Sequence, residues 1–157
     1  MIYIKKRDVL IRDSAHPDIL PIATFMRKAD VNEIWASHML YPYEALVHGF
    51  ENSKVCITAE HKGVPVMMAG VVPINEETAS VWMLGTPEVD RLTVRFCKIS
   101  RNVVSILLGF YPKLYNYVDV RNKKSIEWLK WCGAKFESPA PYGISKLPFQ
   151  FFILEKN

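Results

Sequence analysis

Cysteine is scarce in this chain, and the three present, Cys56, Cys97 and Cys132, form an odd set with wide spacing. No Cys-x-x-Cys pair occurs, so neither a disulfide framework nor a zinc site is indicated, and buried free thiols are expected. His16, His38, His48 and His61 are scattered, without the i, i+4 spacing that sets two imidazoles on one helical face. Long apolar runs are missing too. Val103–Tyr111 falls far short of the roughly 18 to 20 residues needed to cross a bilayer, so no membrane role is expected. Lys5, Lys6, Arg7 and Asp8 stand where a secretory signal would be apolar, and a cytoplasmic location follows as an expectation. Low-complexity tracts, long linkers and internal repeats are also missing.

What is present suits one domain spanning residues 1–157, because half of the residues are apolar and one continuous core can form. The net charge of +4 conceals a division. Residues 1–90 hold 8 Lys/Arg against 12 Asp/Glu, whereas residues 91–157 hold 12 against 4. A basic C-terminal half faces something anionic or is a solvated face.

Periodicity supplies the element order. Asp8–Arg12 alternates as a strand, and Ser14-Ala-His-Pro-Asp18 opens a helix with Pro17 in its first turn. Further helical pieces cover Asn32–Ser37 and Pro42–Gly49. Lys54–Glu60 and Val64–Val72 are strands joined by the hairpin turn His61-Lys-Gly63, and Ala79–Gly85 is a third. From Val89 a helix follows, with Val89, Leu92, Phe96, Ile99, Val103 and Ile106 on its apolar stripe. Arg91, Arg95, Lys98 and Arg101 mark its basic stripe. Leu114–Arg121 is a strand with Tyr115, Tyr117 and Asp119 opposite Asn116, Val118 and Val120, and Lys123–Cys132 is a short helix stopped at Gly133. Ala134–Phe136 resumes extended structure, and Phe149–Glu155 is the last strand.

This order, and above all Val118-Asp-Val-Arg-Asn122 followed by Ile126, Leu129 and Gly133-Ala-Lys-Phe136, resembles the GNAT N-acetyltransferase superfamily. The stretch from Leu114-Tyr-Asn-Tyr-Val118 to Phe149-Gln-Phe-Phe-Ile153, with Gly63-Val-Pro-Val-Met-Met-Ala-Gly70, resembles a GNAT-like group of short-tailed bacteriophages that includes small internal virion and accessory proteins. The resemblance implies an α+β fold whose mixed, mostly antiparallel sheet is flanked by helices. It also implies acetyl-CoA as cofactor, with the strand end Met83, Leu84 and Gly85 against its pantetheine arm. Asn122 would lie beside that arm, and Arg91 and Arg95 would offset phosphate charge. Two departures fall at the chemistry. Val94 and Phe96 stand where the family's phosphate-loop glycines would be, and Leu129 replaces a Tyr that protonates the leaving thiolate.

Acetyl transfer needs an amine, a donor to the carbonyl oxygen and a proton acceptor. Tyr117 and Asp119 are the candidate catalytic groups, with Glu60 and His61 as alternative bases at a turn. Two readings result. One is an acyltransferase acting on an amine of a small molecule or protein. The other is an inactive GNAT-fold module that binds a virion or host protein through Trp128, Trp131, Tyr142 and Phe149. Nucleic-acid binding rests only on the Arg91–Arg101 stripe with Lys123 and Lys124.

Overall fold

The computed structural model describes residues 1–157 apart from the side chains of Thr93, Val94 and Phe96. Among the described residues, nine strands form one sheet: β1 (Ile2–Lys6), β2 (Val9–Asp13), β3 (Val55–His61), β4 (Val64–Pro73), β5 (Thr78–Gly85), β6 (Lys113–Asp119), β7 (Lys135–Phe136), β8 (Ala140–Tyr142) and β9 (Leu147–Glu155). Six helices accompany them: α1 (Ile19–Thr24), α2 (Lys28–His38), α3 (Pro42–Asn52), α4 (Glu88–Arg91), α5 (Thr93–Phe110) and α6 (Lys123–Trp131). The main strand order is β1-β2-β3-β4-β5-β6-β9-β7, and β8 pairs separately with β9. Every pairing is antiparallel except β5 with β6.

The β3–β4 hairpin turns at Lys62 and Gly63, both with positive φ (52° and 79°), which is the tight-turn geometry read from His61-Lys-Gly63. Strand residues alternate between two apolar layers. Ile11, Ile57, Ala69, Val71 and Leu114 pack against Ile99, Val103 and Leu107 of α5 and Leu129 of α6. On the other face Met68, with Trp82 and Leu84 at its edge, packs against Ile19, Ile22, Ile34 and Leu46 of α1–α3. Trp82 lies flat over Gly49 and Gly70, where an added Cβ would sit 2.6 and 2.7 Å from the indole. Its Nε1–H donates to Ser53 Oγ at 2.8 Å. Only glycine permits that approach of ring to backbone.

Three features differ from the sequence reading. A strand at Ile2–Lys6 precedes the expected first one, because Met1 N and Tyr3 Oη both bond Asp13 and pin an otherwise exposed edge. The expected helix from Val89 is broken at Leu92 (φ −80°, ψ 1°) into α4 and α5. The Pro-rich segment after Pro139 holds the short strand β8, because Pro141 and its neighbours add to an edge rather than a sheet centre. No helix among the described residues is long and apolar enough to cross a membrane.

Candidate functional site

β5 and β6 begin as a parallel pair and then part. Their register covers only Thr78–Ser80 against Lys113–Tyr115, leaving Val81–Gly85 and Asn116–Asp119 facing each other unpaired. Asn116 closes the vertex of this fork, donating from Nδ2 to Val81 O at 2.6 Å while its Oδ1 accepts the Tyr117 N–H at 2.8 Å. Beyond it lies a cleft of about 660 Å³, whose lining includes Val81, Met83, Val104 and Trp128. Glu33, His38, His48, Tyr117 and Tyr142 line the same cleft. A second hollow of about 440 Å³, beside Lys54, Ile74 and Tyr111, lies apart from these converging groups.

Helix α2 holds the fork open. On one arm, Asp30 Oδ2 accepts the Gly85 N–H at 3.0 Å and Gly85 O accepts the Arg27 N–H at 2.8 Å. Arg27 itself grips Asp30 through Nε and Nη2 at 3.1 and 3.0 Å. On the other arm, Glu33 Oε1 accepts the Asp119 N–H at 2.8 Å and Oε2 accepts Asn122 Nδ2 at 3.0 Å. Asp30 and Glu33 are three residues apart, one turn along the same helical face, so one helix caps both strands. Burial pushes the Glu33 carboxyl up to about 7, against the opposing pull of the Asp119 N–H and Asn122. A carboxyl poised there and facing a cleft can take a proton near neutral pH. Burial, with His48 nearby, lowers the His38 pKa.

The strand end expected to meet a thioester arm divides residue by residue. Strand alternation turns the main chains of Val81, Met83 and Gly85 toward the fork and those of Trp82 and Leu84 toward β4. Val81 O is held by Asn116, and both Gly85 groups are held by α2. The Met83 N–H and C=O therefore face the gap with no partner among the described residues. Leu84 also lines the cleft, but its main chain belongs to the β4 ladder and its side chain packs with the α1–α3 layer. Gly85 is needed for close packing, because an added Cβ would meet Val66 O and Val89 Cγ2 at 3.2 Å.

Of the expected catalytic pair, Tyr117 lines the cleft and stacks on Tyr142, with ring centroids 4.0 Å apart. Asp119 is corrected. Its buried carboxylate is ion-paired with Arg121, which donates through N–H (2.9 Å), Nε (3.0 Å) and Nη2 (2.6 Å), and it is not among the residues lining the cleft. Asn122 caps α6, accepting the Ser125 N–H at 3.4 Å, and also secures Glu33. Arg95 pairs with Asp8, and Arg91 extends into solvent 3.5 Å from Glu88. Glu60 pairs with Arg12, while His61 is bracketed by Asp8 (2.9 Å) and Glu88 (3.3 Å) rather than solvated. Leu129 is buried. Val94 and Phe96, at the expected glycine positions, have side chains outside the described residues.

Among the expected aromatic anchors, Phe149 is fully buried and Tyr142 half-buried, because β9 pairs on both sides and carries Phe149 inward. Trp128 donates to Ser100 Oγ at 2.7 Å inside the cleft wall, whereas Trp131 is exposed beneath the Arg101 guanidinium, 3.7 Å from the ring centre. The three thiols are free and half-buried, and burial raises Cys56 and Cys132 to about 11.

A protein-family model described as "Bacteriophage T7, probable scaffold protein Gp13" matches residues 55–139, more than half of the chain and both arms of the fork. The chain belongs to that family. Within this family member, the matched segment runs from the start of β3 past β7 and leaves out α1–α3, which supply Asp30 and Glu33. The whole fold is that of GNAT acetyltransferases. A GNAT-family acetyltransferase from Bacillus anthracis matches with a TM-score of 0.71 at 11% identity, over 99% of this chain and 98% of that one. Spermidine N-acetyltransferase from Vibrio cholerae, solved with CoA and spermine, matches at 0.70 and 13% identity, over 94% and 95%. Ribosomal-protein-S5-alanine acetyltransferase from Vibrio fischeri matches at 0.68 and 12%, over 100% and 97%. At such identities the likeness is one of fold. No curated protein matches the chain.

Glu33, Asp30 and Asn116 were not singled out from sequence. Asp30 and Glu33 do carry a faint signal, two acids at i, i+3 beside Ile34 on a helix of low amphipathicity. Nothing local reveals that strand N–H groups wait for them.

Proposed function

We propose that the chain is an N-acyltransferase that moves an acyl group from a pantetheine thioester, the class to which acetyl-CoA belongs, onto an amine. The observation that carries this reading is the fork with the unpartnered Met83 main chain on one arm and Glu33 on the other. The amine nitrogen attacks the thioester carbonyl carbon, the C–S bond breaks, and the thiolate leaves to be protonated.

This chain's residues supply the rest. The Met83 C=O and N–H are the kind of main-chain pair that grips an amide arm and faces developing charge on a carbonyl oxygen. Glu33 accepts the proton released by the amine as the new amide forms. When ionised, Glu33 attracts a cationic amine toward the cleft, and Tyr117 and Tyr142 offer it a flat aromatic wall. With Leu129 in the place of a proton-donating Tyr, the departing thiolate takes its proton from water at the cleft entrance. The nucleotide end of CoA fits less well than its arm, because carboxylates Glu88 and Asp90 stand at the loop that follows β5.

The test is thiol release from an acetyl thioester in the presence of a panel of primary amines. Amine-dependent release that rises through pH 7 and is lost in Glu33→Gln is expected. Release no faster than the spontaneous rate would remove the enzyme reading.

A second reading is a protein-binding role in a phage particle or on a host protein, favoured by the scaffold description attached to the family. Its anchors would be the exposed Phe25, Trp35, Met39, Tyr41 and Tyr43 of the α1–α3 side. Pull-down from infected cells that is lost in Trp35→Ala with Tyr41→Ala, but kept in Glu33→Gln, would favour it.

A further inference from the structure

The entrance to the fork is built in a way that disfavours a nucleotide diphosphate. The chain has no glycine between Gly85 and Gly109, and after β5 it winds at once into α4. The N–H groups of Thr86, Val89, Asp90 and Leu92 already donate to the carbonyls of Val66, Thr86, Pro87 and Glu88. A phosphate nest needs such groups unpartnered. Two carboxylates stand in the same turn. Asp90 pairs with Arg27 Nη1 at 3.1 Å and lies 3.9 Å from Lys124 Nζ across the entrance, and Glu88 lies beside His61 and Arg91. A diphosphate entering here would have to compete with these carboxylates for Lys124 and Arg91.

Outside this turn the sign reverses. Trp128 bonds Ser100, and Arg101 Nη2 donates to Trp131 O at 2.6 Å, so α5 and α6 lie side by side. Lys98, Arg101, Lys123, Lys124 and Lys130 are exposed on these helices, with Arg91 at the end of α4 beside them, and Glu127 is the sole acid of α6. Arg101 meets the C-terminal end of α6 at Trp131, whereas Lys124, at its N-terminal end, meets Asp90 of α4, so the cations are spread along α6 rather than gathered at one point. Such a strip complements an extended acidic surface better than a compact anion.

Resting on the reading of the fork as a thioester site, we infer that the acyl donor is a pantetheine arm displayed by an acidic carrier protein. The carrier docks on the α5/α6 face, the arm enters between β5 and β6, and no nucleotide is recognised. The cleft volume of about 660 Å³ accommodates a linear arm with its acyl group.

The full chain is titrated with three probes: acetyl-CoA, S-acetyl-4′-phosphopantetheine and an acetylated bacterial acyl carrier protein. The two small donors should bind within a few-fold of each other, and the carrier about tenfold tighter or more, an advantage lost at high salt. Lys98→Glu with Lys130→Glu, both remote from the fork lining, should abolish that advantage and leave phosphopantetheine binding unchanged. Acetyl-CoA binding about tenfold tighter than its phosphopantetheine fragment would overturn the inference and leave the acyltransferase reading standing. So would carrier affinity untouched by the double charge reversal. Failure of all three probes to bind would remove the thioester reading together with it.

Discussion

The two halves of the sheet treat their polar groups in opposite ways. From β1 to β4 neighbouring strands stay paired along their length, with one register shift in β1–β2 and one in β3–β4, and the buried charges there serve the fold. Arg12 reaches over β3 to grip Asp18 through both oxygens at 2.8 Å and also meets Glu60, while Thr58 donates to the same Asp18 at 2.9 Å. Burial pushes the Asp18 carboxyl up, but Arg12, the Ala15 N–H and Thr58 outweigh it and hold it below the usual range. Between β5 and β6 the ladder stops, and side chains of α2 and Asn116 take over from the missing strand partners. The difference teaches that buried acids near a complete ladder lock an element in place, whereas acids that cap an interrupted ladder keep a space open. The Met83 N–H and C=O are left at the fork for a ligand among the described residues.

Substitutions can break this contrast. The largest effect is expected from Arg12→Ala, which strands Asp18 with only 5% of its side chain exposed. Thermal or denaturant unfolding should show a loss of about 3 to 5 kcal/mol, with thioester binding by the remaining folded protein unchanged. In the wild type this contribution is fully present above the ordinary Asp range and is lost as pH falls through the lowered native value.

Next comes Glu33→Gln, which should cut the acyl-transfer rate about a hundredfold or more and erase its rise through pH 7. The stability effect has the opposite sign to that of Asp18. Because the folded Glu33 binds its proton more tightly than the unfolded one, its contribution is complete below the ordinary value of 4.5 and is lost as pH rises through about 7. Unfolding measured across that window should flatten in Glu33→Gln.

Asn116→Ala removes the two bonds at the vertex, and a loss of about 1 to 3 kcal/mol should accompany weaker donor binding as the fork loses its stop. The smallest change is expected for Arg101→Ala. Its exposed stacking on Trp131 contributes only about 0.5 to 1 kcal/mol, so melting should shift by a few degrees at most.

Much of the frame was legible in the residues. Alternation located β3, β4, β5 and β6 to within a residue or two at most ends, since sheet faces with distinct layers force a strict period of two. The hairpin at Lys62-Gly63 and the stop of α6 near Gly133 were equally plain, for only left-handed backbone fits there. The site was less so. Tyr117 and Met83 could be placed on their strands, but a strand reading made Asp119 a free carboxylate when Arg121, two residues on, folds back to hold it.

By itself, then, the sequence determined which segments are strands and helices, which faces are apolar, and where turns must fall, because each depends on neighbours a few residues away. Tertiary structure alone decided that β5 and β6 part after three pairs, that Glu33 meets the Asp119 N–H 86 positions along the chain, and that burial brings its carboxyl to about 7. Desolvation and long-range pairing are properties of the packed chain, and no local pattern encodes them.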